Sequence, residues 1–185
     1  MTTDSERYGR GAMVFHWFMF LLVIGVGILG LLHDSWPKQS QRFWINIHAV
    51  FGLLLWLTLF GRFFWRMTHT PPAAPADLGR FARRFAGIMH TLLYVLLFVT
   101  PIVGIITFIF HGRVLNLGLF QWDFGVRSNR AIFHPTEELH GYLAYALFAL
   151  AGIHAVAALW HHFVLRNAVL LRMWPRTRRA SVLRN

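Results

Sequence analysis

Four long apolar stretches run along the chain, separated by shorter polar ones. They extend from about Met13 to Leu32, Phe43 to Trp65, Phe85 to Phe110 and Leu139 to Leu165. Each supplies the roughly 20 mostly apolar residues that a helix needs to cross a hydrocarbon core. The pattern predicts an all-α, integral-membrane four-helix bundle, with residues 1–185 forming a single transmembrane domain. Pro101 and Gly104 fall inside the third stretch, where a proline kinks a membrane helix without destroying it. The first stretch exceeds the 7–15 apolar residues usual in a signal peptide, so it is expected to be retained. Thr70–Pro75 reads as a short Pro/Ala-rich linker, and His111 to Phe133 as the longest and most irregular connection.

Composition supports the membrane reading. The chain is 56% hydrophobic and 14% charged, with a mean hydropathy of +0.49. A soluble domain would carry about twice that share of charge. There is no cysteine, which excludes disulfides, thiolate metal sites and iron–sulfur clusters. The 18 Lys and Arg against 7 Asp and Glu do not point to nucleic acid, because the basic residues gather at the ends of the apolar stretches. With the N-terminus inside, the inner segments hold Arg7, Arg10, Arg62, Arg66, Arg80, Arg83 and Arg84, and the tail adds Arg166, Arg172, Arg176, Arg178, Arg179 and Arg184. The outer loops hold Lys38, Arg42, Arg113, Arg127 and Arg130. This asymmetry predicts both termini in the cytoplasm.

Histidine brings in the chemistry. Ionisable side chains inside membrane spans are costly and usually functional. His16, His48, His90, His140 and His154 all fall within the apolar stretches. His140 and His154 are separated by 14 residues of one helix. That interval returns to within about 40° of the same face and rises about 21 Å. One stripe of the fourth helix therefore offers one imidazole toward each side of the bilayer. Matching by depth pairs His48 with His140 on the outer side and His16 with His154 on the inner side. A zinc or copper site would want three or four ligands at one depth, and these are split into pairs. Two stacked haems with bis-histidine ligation fit better. With both axial positions filled, such irons favour electron transfer over oxygen activation.

Other residues fall on the same stripes. Gly27 and Gly30 of the first helix are expected to flank the outer haem, and Gly52 follows His48 by one turn. Arg62 lies 14 residues beyond His48, at the inner depth, where it is a candidate partner for a haem propionate. His161, seven residues after His154, is a candidate donor to a quinone carbonyl or an inner propionate. His90 has no assigned role, and an interhelical hydrogen bond would account for it. Trp17, Trp160 and Trp174 suit the interfacial belt. Leu170-Leu-Arg-Met-Trp-Pro-Arg176 reads as an inner-surface anchor whose arginines attract anionic lipid.

Several of these segments together resemble the small bacterial cytochrome b561 family of inner-membrane di-haem proteins, over essentially the whole chain. The matching pieces are His16-Trp17, Asn46-Ile-His48, Glu137-Glu-Leu-His140-Gly, and His154-Ala-Val-Ala-Ala-Leu-Trp-His161-His162 followed by Leu170-Leu-Arg-Met-Trp-Pro-Arg. The resemblance implies two noncovalent haems b, ubiquinone as the membrane partner, and His16, His48, His140 and His154 as the axial ligands. It places His161 near quinone. In some members the donor is superoxide at the periplasmic face, which would make the chain a superoxide:ubiquinone oxidoreductase. The alternative is a haem-bearing anchor subunit that links a peripheral dehydrogenase or hydrogenase to quinone. A non-redox transporter is a third reading.

Overall fold

A computed structural model of the chain describes residues 7–75 and 78–175. Four helices dominate it: α1 (Arg10–Leu31), α2 (Lys38–Thr68), α3 (Arg80–Phe110) and α4 (Arg130–Phe163). All four are long and apolar enough to cross a membrane. The tail arginines Arg176, Arg178, Arg179 and Arg184 lie outside the described residues.

The helices outrun the apolar stretches that announced them. α2 and α3 each begin five residues before the expected Phe43 and Phe85, and α4 begins nine residues before the expected Leu139. Hydropathy marks the portion suited to lipid, whereas the helices run on into polar sequence. At α4 the Asn129 side chain accepts from the Ala131 amide at 3.1 Å, which satisfies an orphan donor of the first turn. Within the apolar spans, Thr58, Thr91 and Thr107 return their hydroxyls to the carbonyls of Leu54, Gly87 and Val103, four residues back in each case. No water is available in the bilayer core, and this bond removes the cost of an unpaired hydroxyl.

The outer loop is more ordered than an irregular connection. β1 (Leu115–Asn116) and β2 (Gln121–Trp122) pair antiparallel as a small hairpin. Asn46 of α2 holds it: its amide donates to the Asn116 carbonyl and its carbonyl oxygen accepts from the Asn116 amide, both at 2.8 Å.

The helices associate chiefly as two pairs, α1 with α2 and α3 with α4, and the pairs meet mainly through α2 and α3. The compact core lies between α1 and α2, where Met19, Leu22, Leu55 and Leu59 are buried, with Tyr94 and Leu97 of α3 against them. Elsewhere large apolar side chains such as Leu21, Leu57, Val95 and Val156 face outward on every helix. Lipid is the natural solvent for such a surface.

The C-terminal segment closes one end of the bundle. Tyr8 donates its amide to the Arg172 carbonyl at 3.2 Å, so residues near both termini meet at the same end. Trp17 Nε1 donates to the Met173 carbonyl at 2.8 Å, and the Trp17 and Trp174 rings meet edge to face. Arg172 differs from the sequence expectation of a lipid-facing anchor. It is buried, donates to the Ala73 carbonyl at 2.6 Å and lies over the Tyr8 ring. A guanidinium with its own carbonyl and aromatic partners ties the tail to the α2–α3 linker instead of waiting for a phosphate headgroup.

Candidate functional site

The fold draws the span histidines together in the pairs that depth suggested. The His48 and His140 ring centroids stand 6.0 Å apart, at an interplanar angle of 86°. Those of His16 and His154 stand 6.3 Å apart, at 75°. Each pair bridges the two helix pairs, joining α1 or α2 to α4. The spacing has a chemical meaning. Imidazole–metal bonds of about 2 Å, added to a ring radius of about 1.1 Å on each side, put trans imidazoles on one metal ion about 6 Å apart. Among the described residues, no group of three or more His, Cys, Asp or Glu side chains gathers to hold a metal ion. The pairs therefore suit an iron whose other four ligands come from a macrocycle.

The outer pair is built on a repeated notch. His48 Nδ1 donates to the Val26 carbonyl of α1 at 3.0 Å, and His140 Nδ1 donates to the Thr100 carbonyl of α3 at 2.9 Å. Four residues on from each acceptor stands a glycine, Gly30 after Val26 and Gly104 after Thr100. A Cβ on Gly30 would come within 3.1 Å of the His48 ring, and one on Gly104 within 2.7 Å of the His140 ring. The missing side chain lets the imidazole lie against the helix and reach a carbonyl. That bond fixes the tautomer and leaves the Nε2 lone pair free. Gly30 thus seats the His48 ring, and a Cβ on Gly27 would run into the Phe148 ring of α4.

At the inner pair the surroundings are cationic. Arg62 Nε donates to the Tyr94 hydroxyl at 3.0 Å, and its Nη1 is buried with no hydrogen-bond partner. The guanidinium lies within electrostatic reach of His16, His90 and His154. A guanidinium with a buried idle donor is costly unless an anionic group completes it, and a haem propionate is such a group. His90 contributes a third imidazole here, its ring centroid 5.2 Å from that of His154. His161 is half-buried near the inner end of α4, where the Asn167 amide donates to its Nδ1 at 2.7 Å. Its other ring nitrogen faces the choice between quinone and propionate that the sequence left open.

Toward the opposite end, Arg113 donates to His111 Nε2 at 3.3 Å. Burial, with Arg42 nearby, pulls its guanidinium below the usual arginine value, and Glu137 partly offsets this. Arg113 is held in place by its neighbours rather than simply solvated. Sequence reasoning passed over Val26, Thr100 and Tyr94, because backbone acceptors and a phenol carry no motif. The available signal was a glycine on the neighbouring helix at the depth of each outer ligand.

The profile of the prokaryotic cytochrome b561 family matches residues 7–176. The chain belongs to this family. It is 30% identical to cytochrome b561 homolog 2 of Escherichia coli (strain K12), over 93% of each chain. It is 25% identical to cytochrome b561 homolog 1 of the same organism, over 92% of this chain and 98% of the relative. It is also 29% identical to the probable superoxide oxidase CybB of Yersinia pestis, over 94% of this chain and 98% of the relative. As a cytochrome b561, the protein is a multi-pass electron-transfer cytochrome of the bacterial inner membrane that uses b-type haem.

Proposed function

We propose that this cytochrome b561 carries two haems b and passes electrons from a periplasmic donor to ubiquinone. The observation that supports this reading best is the presence of two imidazole pairs, at 6.0 Å and 6.3 Å, at two depths of one bundle. His48 and His140 would hold the outer haem, and His16 and His154 the inner one. Bound there, the haems would supply two one-electron carriers, one above the other.

The chain's own residues do the rest. The Val26 and Thr100 carbonyls orient the outer imidazoles, and Arg62 receives an inner propionate. His161 offers a ring nitrogen to a quinone carbonyl at the inner end of α4. Both termini face the cytoplasm, because the end shared by Tyr8, Arg172 and the α2–α3 linker also carries Arg10, Arg62, Arg66, Arg80 and Arg83. The outer face then presents Lys38, Arg42, Arg113, Arg127 and Arg130, a field that raises the on-rate of an anionic donor. Superoxide is such a donor, and the Yersinia pestis relative is named for oxidising it.

Two measurements test the reading. A pyridine haemochrome assay of the purified protein should count two haems b per chain; one or none ends the di-haem assignment. Enzymatically generated superoxide should then reduce the haems and form quinol when ubiquinone is present. Haems that stay oxidised would exclude superoxide as the donor.

A further inference from the structure

The two imidazole pairs are held by different partners. Both outer imidazoles donate to backbone carbonyls, His48 to Val26 and His140 to Thr100. Such a bond gives the ring imidazolate character, makes it a stronger donor to iron and favours the ferric state. No comparable carbonyl anchors appear at His16 or His154 among the described residues. Instead, the Arg62 guanidinium lies within electrostatic reach of both, with a buried Nη1 that has no partner and its Nε bonded to Tyr94. Arg66 is within electrostatic reach of the adjoining His90. A bis-imidazole ferric haem carries one more positive charge than its ferrous form. A fixed cation at low dielectric therefore favours the ferrous form, and an anion favours the ferric.

We propose that these residues set a redox gradient within the chain, with the carbonyl-anchored outer site the weaker electron acceptor and the Arg62-lined inner site the stronger. The inference rests on the di-haem reading and deepens it by giving electron flow a direction. With haems held by His48 and His140 and by His16 and His154, an electron entering at the outer site would be favoured to move to the inner one. From there quinone receives it. The gradient belongs to the protein scaffold and exists before any donor or quinone binds.

Potentiometric titration of the purified di-haem protein, followed in the visible α-band, tests it. Two components should appear, with an electron preferring one site at least tenfold, a separation of about 59 mV for one-electron couples. His140→Ala leaves the inner haem alone, and it should titrate as the higher component. His154→Ala leaves the outer haem, which should titrate as the lower. In the otherwise intact chain, Arg62→Gln should lower the higher component alone, and Arg62→Lys should restore most of the shift. Two haems of equal potential, or a higher component in the His154→Ala protein, would overturn the gradient while leaving the di-haem reading standing. A shift of the lower component in Arg62→Gln would overturn the role of Arg62. A single haem per unmodified chain would instead overturn the reading beneath.

Discussion

Gly104 and Gly30 hold the places on α3 and α1 where an imidazole from the next helix comes to rest. The two notches are not equally tight. A Cβ on Gly104 would stand 2.7 Å from His140, and one on Gly30 3.1 Å from His48. At Gly30 the ring can give way by a few tenths of an ångström, whereas at Gly104 it must move off the Thr100 carbonyl. Overpacking of this kind costs about 1–3 kcal/mol, and it falls on the bond that orients the ligand. Gly104→Val should therefore yield a protein with close to one haem per chain, the inner one, and Gly30→Ala should keep nearly two. Pyridine haemochrome counts on the two variants check this. Equal haem content in both would mean that the notch does not position His140.

At the scale of elements, the outer hairpin shows both what the sequence discloses and what it conceals. Membrane helices are legible because lipid imposes long apolar runs, and the histidines stand out because polar groups are rare within them. The hairpin is invisible at that level. Its strands are two residues each, and its register comes from one side chain on a different element, Asn46, reaching across to Asn116. Tertiary bonds of this sort have no local period to read. The extra turns of α4 escaped for a related reason, since a cap at Asn129, and not hydropathy, decides where that helix begins. Arg172 is the converse case: its position in a basic tail suggested a surface role, and only the fold brings Ala73 and Tyr8 to it. Asn46→Ala deletes both bonds to the hairpin. At about 1 kcal/mol for each bond, the local stability of residues 115–122 should fall by about 2 kcal/mol. The Asn116 amide should then exchange with solvent about 30-fold faster by hydrogen–deuterium exchange, with haem content unchanged.

Across the whole molecule, the packing of the bundle and the location of its chemistry are one fact. The helix pair α1–α2 meets the pair α3–α4 mainly through α2 and α3, and the four paired histidines face each other across the remaining space. The compact core is confined to the α1–α2 side, and among the described residues no large side chain is fully enclosed. A group held by imidazoles from both helix pairs binds the folded bundle and not the unfolded chain, so it stabilises the fold by mass action. Haem-depleted protein should consequently melt well below the loaded form in the same detergent. The loss should be larger for His140→Ala combined with His154→Ala, which removes a ligand at each depth, than for either change alone. Circular dichroism melts of the haem-depleted, single-variant and double-variant proteins provide the measurement. Identical melting temperatures for loaded and depleted protein would mean that the helix pairs are held together without any group bridging their histidines.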